Sequence, residues 1–262
     1  MPEPLFKLNS VSYAYTQNIS AIQNLTLSIN QGERIAVIGA NGTGKSTLLT
    51  ILDALIFPTS GTLSFQGETI TEERMNEGKF QKAFRKKVGF VFQNPDIQLF
   101  CPTVKEDILF GPLHLGATKA ELNQRLDFVV NLMKLDHLLD RSPHHLSIGE
   151  KKKVAIASTL AIEPEVLILD EPTAGLDPQT MRDVIQVLYD MHQNGKTIIM
   201  ATHDLHIVEE IADTVHVFGS NRSIIRSGSP EEILSDSKFL QDNNLVHIHV
   251  HRHPHGPHLH SH

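Results

Sequence analysis

The sequence predicts an α/β protein, and three observations carry that expectation. Short apolar runs rich in Val and Ile recur along the chain, bounded by turn residues as strands are. Between them lie segments whose apolar residues return at three-to-four spacing, the period of an amphipathic helix. A glycine-rich turn, residues 39–46, stands where one strand pattern stops and a helical pattern starts. At 262 residues the chain suits one large α/β domain, or a core with a small inserted subdomain.

Residues 5–13, 22–29 and 34–38 read as strands, and a helix is expected from about Lys45. Further strands are expected at 62–65, 88–92, 166–169, 197–200 and 215–218. From Asn94 to Ala161 the pattern turns helical, with amphipathic helices at 119–132 and 150–162. Residues 179–191 form another, closed by Gly195. Ser229-Pro230-Glu231-Glu232 reads as an N-cap, a first-turn proline and a capping-box glutamate. Beyond Ser235 the character changes to a histidine-rich tail, expected to be a flexible, solvated segment outside the fold.

Composition narrows the function classes. Lys+Arg is 23 against Asp+Glu 30, a net charge of −7, which argues against a nucleic-acid partner. No apolar run has the ~20 residues a membrane-crossing helix needs. The N-terminus has neither a basic flank nor an apolar signal core, so no export is expected. Cys101 is the single cysteine, which excludes an internal disulfide and fits a reducing compartment.

Gly39-Ala40-Asn41-Gly42-Thr43-Gly44-Lys45-Ser46 fits the phosphate-loop pattern G-x-x-x-x-G-K-[ST]. Glycines let backbone N–H groups close around phosphates, and the following helix adds its positive N-terminal dipole. Gly39, Asn41, Gly42, Gly44, Lys45, Ser46 and Thr47 are the expected nucleotide-binding set, with Lys45 on the outer phosphates and Ser46 on Mg²⁺. Four apolar residues, Val166 to Leu169, run into Asp170 and Glu171, as in a buried strand ending at a site. Asp170 is the expected magnesium carboxylate and Glu171 the general base for an attacking water. A phosphate loop with an acid pair also fits GTPases and small-molecule kinases.

Leu146-Ser147-Ile148-Gly149-Glu150 resembles the signature sequence L-S-G-G-Q of ABC ATPases. Gln93 after a strand, Ala174-Gly175-Leu176-Asp177 after Glu171, and His203 after a later strand complete that family's motifs in its order. The resemblance spans residues 5–234. It implies a P-loop NTPase ABC ATPase fold: a β-rich N-terminal part, a RecA-like core and an inserted α-helical subdomain. The expected division is a discontinuous ATP-binding core at 1–93 and 159–235, a helical subdomain with the signature at 94–158, and the tail at 236–262. It further implies that Tyr15 stacks on adenine, the alternative being an ordinary strand tyrosine. By the same resemblance Gln93 touches magnesium and water, and His203 contacts the γ-phosphate and orients Glu171. Ser147 and Gly149 would bind the γ-phosphate held by a second subunit, and Asp177 would organise the seam of that homodimer. Two departures stand out: Ile148 replaces the first glycine and Glu150 the glutamine. Glu150 adds negative charge near the nucleotide, which weakens ATP affinity unless Lys151 or Lys152 compensates.

Gln93-Asn94-Pro95-Asp96-Ile97-Gln98-Leu99-Phe100, continuing to Phe110-Gly111-Pro112, is similar to the ATPases of energy-coupling factor (ECF) importers of the cobalt/nickel type. That likeness implies a groove for a transmembrane coupling subunit, with a substrate-binding membrane subunit beside it. It also implies a peripheral place on the cytoplasmic face of the cell membrane. The same segment could instead pack for its own sake. ECF importers take up vitamins or transition-metal ions. His247, His249, His251, His253, His255, His258, His260 and His262 are candidate Ni²⁺ or Co²⁺ ligands, since neutral imidazole binds such ions. A purification tag and a solvated tail without a ligand are the other readings. The expected function is therefore ATP-driven uptake of nickel or cobalt, with vitamin uptake, a non-transport ABC ATPase or a metal-storage protein as alternatives.

Overall fold

Alternating burial makes the N-terminal segments one-sided strands. β1 (Phe6–Thr16) buries Phe6, Leu8 and Val11 and leaves Lys7, Asn9 and Ser10 outside. It pairs antiparallel with β2 (Ile19–Ile29), Phe6 opposite Ile29. The structure, a computed structural model, describes residues 3–16, 19–246, 248–253 and 256–261. β3 (Arg34–Gly39) leads through the glycine-rich turn into α1 (Lys45–Leu52). β4 (Ser60–Phe65) and β5 (Glu68–Ile70) complete a four-stranded antiparallel sheet in the order β2-β1-β4-β5. The short α2 (Glu72–Met75) and the basic α3 (Gly78–Lys87) then lead to β6 (Val88–Val91).

The middle of the chain is helical. α4 (Val104–His114), α5 (Lys119–Met133) and α6 (Ile148–Leu160) start at Thr103, Thr118 and Ser147, each closing a capping box with a glutamate three residues on. That cap sets the start of α6 at Ile148, two residues before the expected 150. β7 (Val166–Asp170), α7 (Pro178–Gln193), β8 (Thr197–Ala201), α8 (Leu205–Ile211) and β9 (Thr214–Phe218) alternate as an α/β unit should. β10 (Ile224–Gly228) and α9 (Pro230–Leu234) follow, the latter capped by Ser229 with Glu232 as its box partner.

These strands form a six-stranded sheet, β10-β9-β3-β8-β7-β6, parallel except for its edge strand β10. Its central strands are apolar on both faces because both are covered. On one face Ile35, Val37 and Ile168 pack with α1 and the antiparallel sheet. On the other, Ala36, Ile38 and Leu169 join one core with α4 to α8. No helix among the described residues is long and apolar enough to cross a membrane.

The expected boundary at residue 235 is displaced. α10 (Ser237–Asp242) follows it, capped by Asp236, and Leu240 is buried against the main core with Phe239, Leu245 and Val246 beside it. The fold therefore continues to about residue 246, because a polar stretch with four well-spaced apolar residues still covers core surface. Beyond it, the backbone of β11 (Ile248–His253) and β12 (Gly256–Ser261) pairs antiparallel, His249 opposite His260 and His251 opposite His258. Composition gave no sign of that strand pairing. His247, His255 and His262 lie outside the described residues.

Asp53, directly after α1, ties that helix to α3: its carboxylate lies 2.9 Å from Arg85, which also donates to the Asp53 carbonyl at 2.6 Å. Complete burial pushes the Asp53 carboxyl up to about 7, outweighing the pull of Arg85. Between about pH 4 and 7 the unfolded chain has released this proton and the folded chain has kept it. The stability contributed by Asp53 therefore falls as pH rises through that window and levels off above it. Urea unfolding at pH 5 and pH 7.5 should show this decline in the native chain, with a smaller difference in Asp53→Asn, which has no proton to release.

Candidate active site

The carboxyl ends of β3, β8, β7 and β6 lie side by side, the place where open parallel sheets bind ligands. Register decides what meets there: Val37 and Asp170 both stand opposite Ala201. A cleft of about 440 Å³ opens at these ends, lined by Asn41, Gly42, Gly44, Lys45, Ser46 and Thr47 of the loop and by Gln93, Asp170 and Glu171. Tyr15, Ile19 and Ala21 form its outer wall.

The loop needs glycine at two of these positions. Gly42 and Gly44 have φ of 77° and 114°, where L side chains are strained. A Cβ at Gly44 would also collide with the Ala21 carbonyl. Gly39 does not line the cleft; it sits beneath the loop, where a Cβ would meet the Phe218 carbonyl at 2.7 Å and Thr43 Oγ1 at 2.9 Å. Lys45 is buried, and its Nζ donates to the carbonyls of Gly39 at 2.7 Å and Ala40 at 3.2 Å. Burial lowers its pKa, while Glu171 and Asp170 pull the other way.

Burial raises the Asp170 pKa, and the neighbouring Ser46 hydroxyl pulls it the other way. The Ser46 hydroxyl, the Asp170 carboxylate and the Gln93 side chain border one cleft, an oxygen-rich set that suits a hard divalent cation. Glu171 is buried with φ 47°, a left-handed conformation uncommon outside glycine and typical of functional sites. Its backbone N–H donates to the Ala201 carbonyl at 2.9 Å. Its Oε2 lies 2.9 Å from His203 Nδ1 and accepts from the His203 N–H at 3.4 Å. A carboxylate joined to an imidazole at the mouth of a phosphate loop can accept a proton from water. The Tyr15 hydroxyl is 3.0 Å from Thr47 Oγ1, and its ring stands edge-on to Tyr13 at 5.1 Å with more than half its surface open.

Ser147, Gly149 and Asp177 are not brought to this cleft. With Ile148, Glu150 and Thr180 they line a second one, about 390 Å³, that shares no residue with the first. Asp177 caps α7, accepting from Gln179 and Thr180 N–H at 3.0 and 3.1 Å. Ile148 points outward, 63% exposed. Neither Lys151 nor Lys152, the two residues that could have offset the charge of Glu150, pairs with it. Lys151 pairs with Asp96 at 2.7 Å, and Lys152 turns inward. Glu150 instead accepts from the Ser147 N–H and hydroxyl, both at 2.8 Å, with Arg141 at 3.9 Å. Those Ser147 bonds hold its carboxyl below the usual carboxylate range.

Two residues of the site region were missed in the sequence. Arg222, in the β9–β10 turn, borders the first cleft and donates to the Gly42 carbonyl at 2.8 Å; nothing local marks it. Lys152 reaches the Gln93 carbonyl at 2.7 Å and that of Glu171 at 3.2 Å. A signal for it existed: Lys152 shares a helical stripe with buried Ala155, Ile156 and Thr159, where a surface lysine does not belong. Among the described residues no group of three or more His, Cys, Asp or Glu could hold a metal ion.

The family model described as ABC transporter matches residues 22–174. The nickel import ATP-binding protein NikO of Rhodobacter capsulatus is 43% identical over 246 residues, covering 93% of this chain and 96% of its own length. The energy-coupling factor transporter ATP-binding protein EcfA of Methanothermobacter thermautotrophicus is 40% identical over 241 residues, 92% of this chain and 76% of its own. Among solved structures, cbiO1 of Clostridium perfringens, part of the ABC transporter complex cbiONQ, superposes with a TM-score of 0.78. It is 37% identical, with 93% of this chain and 95% of that one covered.

Glu150→Gln should leave the capping box and the melting temperature nearly unchanged, since glutamine serves the same cap. The ATP concentration for half-maximal hydrolysis should fall roughly two- to fivefold, as about 0.5–1 kcal/mol of like-charge repulsion leaves a water-exposed cleft. Steady-state ATPase titrations check it.

Proposed function

The chain belongs to the ABC transporter ATP-binding family, an ATPase family, and from that premise we propose that it is the motor of an ECF-type importer for nickel or cobalt. The observation that carries the motor reading is the split between two clefts. One holds the phosphate loop and the acid pair, the other the signature residues, and no residue belongs to both. Two copies facing each other head to tail would each complete the other's site, so a homodimer with two ATP molecules at its seam satisfies both halves.

In this reading the loop N–H groups and Lys45 hold the phosphates, Tyr15 stacks on the adenine, and Ser147 and Gly149 reach the γ-phosphate from the second copy. Ser46, Asp170 and Gln93 would hold Mg²⁺, whose bound charge offsets that of the β- and γ-phosphates. Glu171, oriented by His203, takes a proton from water as its oxygen attacks the γ-phosphorus. The bond to the β-phosphate oxygen breaks, leaving ADP and phosphate. ATP joins the copies and hydrolysis parts them, and that difference in affinity is what can move a membrane partner.

A groove of about 410 Å³ beside α4 supports the membrane partner. Phe100 and Phe110 meet edge to face at 4.8 Å and remain 60% and 38% exposed. At its floor Asp53 Oδ1 is buried without a hydrogen-bond partner among the described residues. An amphipathic helix with an apolar face and one basic or amide side chain fits such a groove. The metal reading rests on the tail's histidine spacing and on the likeness to NikO.

Glu171→Gln should reduce hydrolysis by at least ~100-fold. It should also trap an ATP-bound dimer in light scattering and lower whole-cell nickel or cobalt in the native host. An unchanged metal profile at normal protein levels points to vitamin uptake instead. Phe100→Asp with Phe110→Asp should keep basal ATPase but lose co-purification with the membrane subunits, the removal of two central apolar anchors costing at least ~2 kcal/mol.

A further inference from the structure

Lys152 has no counterpart among the surface lysines of α6. It lies one turn beyond the signature residues and is 1% exposed. Its ammonium has three protons, and three carbonyls surround it: Gln93 at 2.7 Å, Glu171 at 3.2 Å and Phe92 at 3.5 Å. No carboxylate lies within ion-pair distance of it among the described residues. A buried ammonium without a direct counter-ion is costly, and an apolar side chain of similar length would fill the same space more cheaply. Packing therefore does not account for a lysine here, whereas the three acceptors do.

What those acceptors belong to gives the contact its meaning. Gln93 follows β6 and Glu171 follows β7, neighbouring strands whose ends border the first cleft. The Glu171 backbone is held in a left-handed conformation between its own N–H bond to Ala201 and the Lys152 bond to its carbonyl. The helix that carries Lys152 opens at Ser147 in the second cleft. A helix is stiff along its axis, so a shift of its N-terminal turn moves Lys152 with it.

We propose that Lys152 is a positioning residue that couples the two clefts of each chain: engagement of Ser147 and Gly149 by the opposite subunit's nucleotide sets, through the Lys152 ammonium, the backbone of Gln93 and Glu171 at the chain's own hydrolytic site. The inference rests on the split-site dimer and on the role of Glu171 proposed above. Lys152 itself touches neither nucleotide nor water. Its loss leaves the phosphate loop intact and misplaces the groups that act on the γ-phosphate, and a misplacement of about 1 Å is worth on the order of 100-fold in rate.

The test uses the full chain with Lys152→Gln, Lys152→Arg and, as a control, Glu171→Gln. Thermal melting, equilibrium ATP binding, ATP-driven dimerisation and the ATP dependence of hydrolysis are measured on each. For Lys152→Gln the expected result is ATP binding within about twofold of the native chain, dimerisation retained, kcat lowered on the order of 10- to 100-fold, and any cooperativity in ATP reduced. Lys152→Arg, which keeps the charge and donors, should recover part of kcat. A folded Lys152→Gln with native kcat overturns the proposal. So does a loss of melting temperature and ATP binding in step with kcat in both Lys152 variants, because Lys152 is then only a strut. If Glu171→Gln still hydrolyses ATP, the reading of Glu171 fails first; if it is inactive and Lys152→Gln is not, the coupling alone fails.

Discussion

The register of the parallel ladder is the constraint on which the site depends. β3, β8 and β7 pair so that Val37, Ala201 and Asp170 lie abreast, which sets the phosphate loop, the acid pair and His203 at a common height along the sheet. A slip of one residue in β7 would exchange the faces of Asp170 and Glu171 and send the carboxylate that meets Ser46 to the opposite side. Both faces of these strands are buried in separate cores, so a slip would also exchange the residues packed in each. The same burial that stabilises the sheet thereby holds the chemistry in place.

Charge at the sheet's carboxyl edge is kept by mutual compensation rather than by solvent. Lys45, Lys152, Asp170 and Glu171 are all buried there, two cations beside two anions at the ends of strands that are otherwise apolar. Burial disfavours the charged forms of Lys45, Lys152 and Asp170, and their opposite charges partly restore them. Glu171 adds a strained backbone to that balance, a conformation that persists because bonds on both sides of it hold it there. The energy stored at this edge is the usual cost of aiming a side chain that free rotation would point elsewhere.

Away from the nucleotide cleft, the surface features separate by kind. The α4 groove has apolar walls and a buried acid at its floor, a form suited to receiving another protein's helix. The signature cleft has capping carboxylates, an exposed Ile148 and the open N-terminus of α6, a form suited to completion by a second nucleotide. The first cleft alone has the loop for phosphates. One chain therefore presents three incomplete surfaces, as the proposed motor working between a twin and a membrane partner would require.

Local chemistry already determined much of this. A phosphate loop is legible because tight backbone turns demand glycine. The acid pair is legible because an apolar strand seldom ends in two adjacent carboxylates unless they face a polar site. The capping box of α9 is visible as serine with glutamate three residues later. Tertiary structure alone decided where distant pieces meet. The signature residues lie in a cleft apart from the loop, and Arg222 reaches Gly42 from 180 residues away. Glu150 is answered by Ser147 and Arg141 rather than by the lysines next to it. The core continues past residue 235 because Leu240 finds uncovered apolar surface there. Short-range patterns encode caps and turns because those interactions close within one helical turn. Contacts between separate elements depend on strand order and register, which no single segment contains.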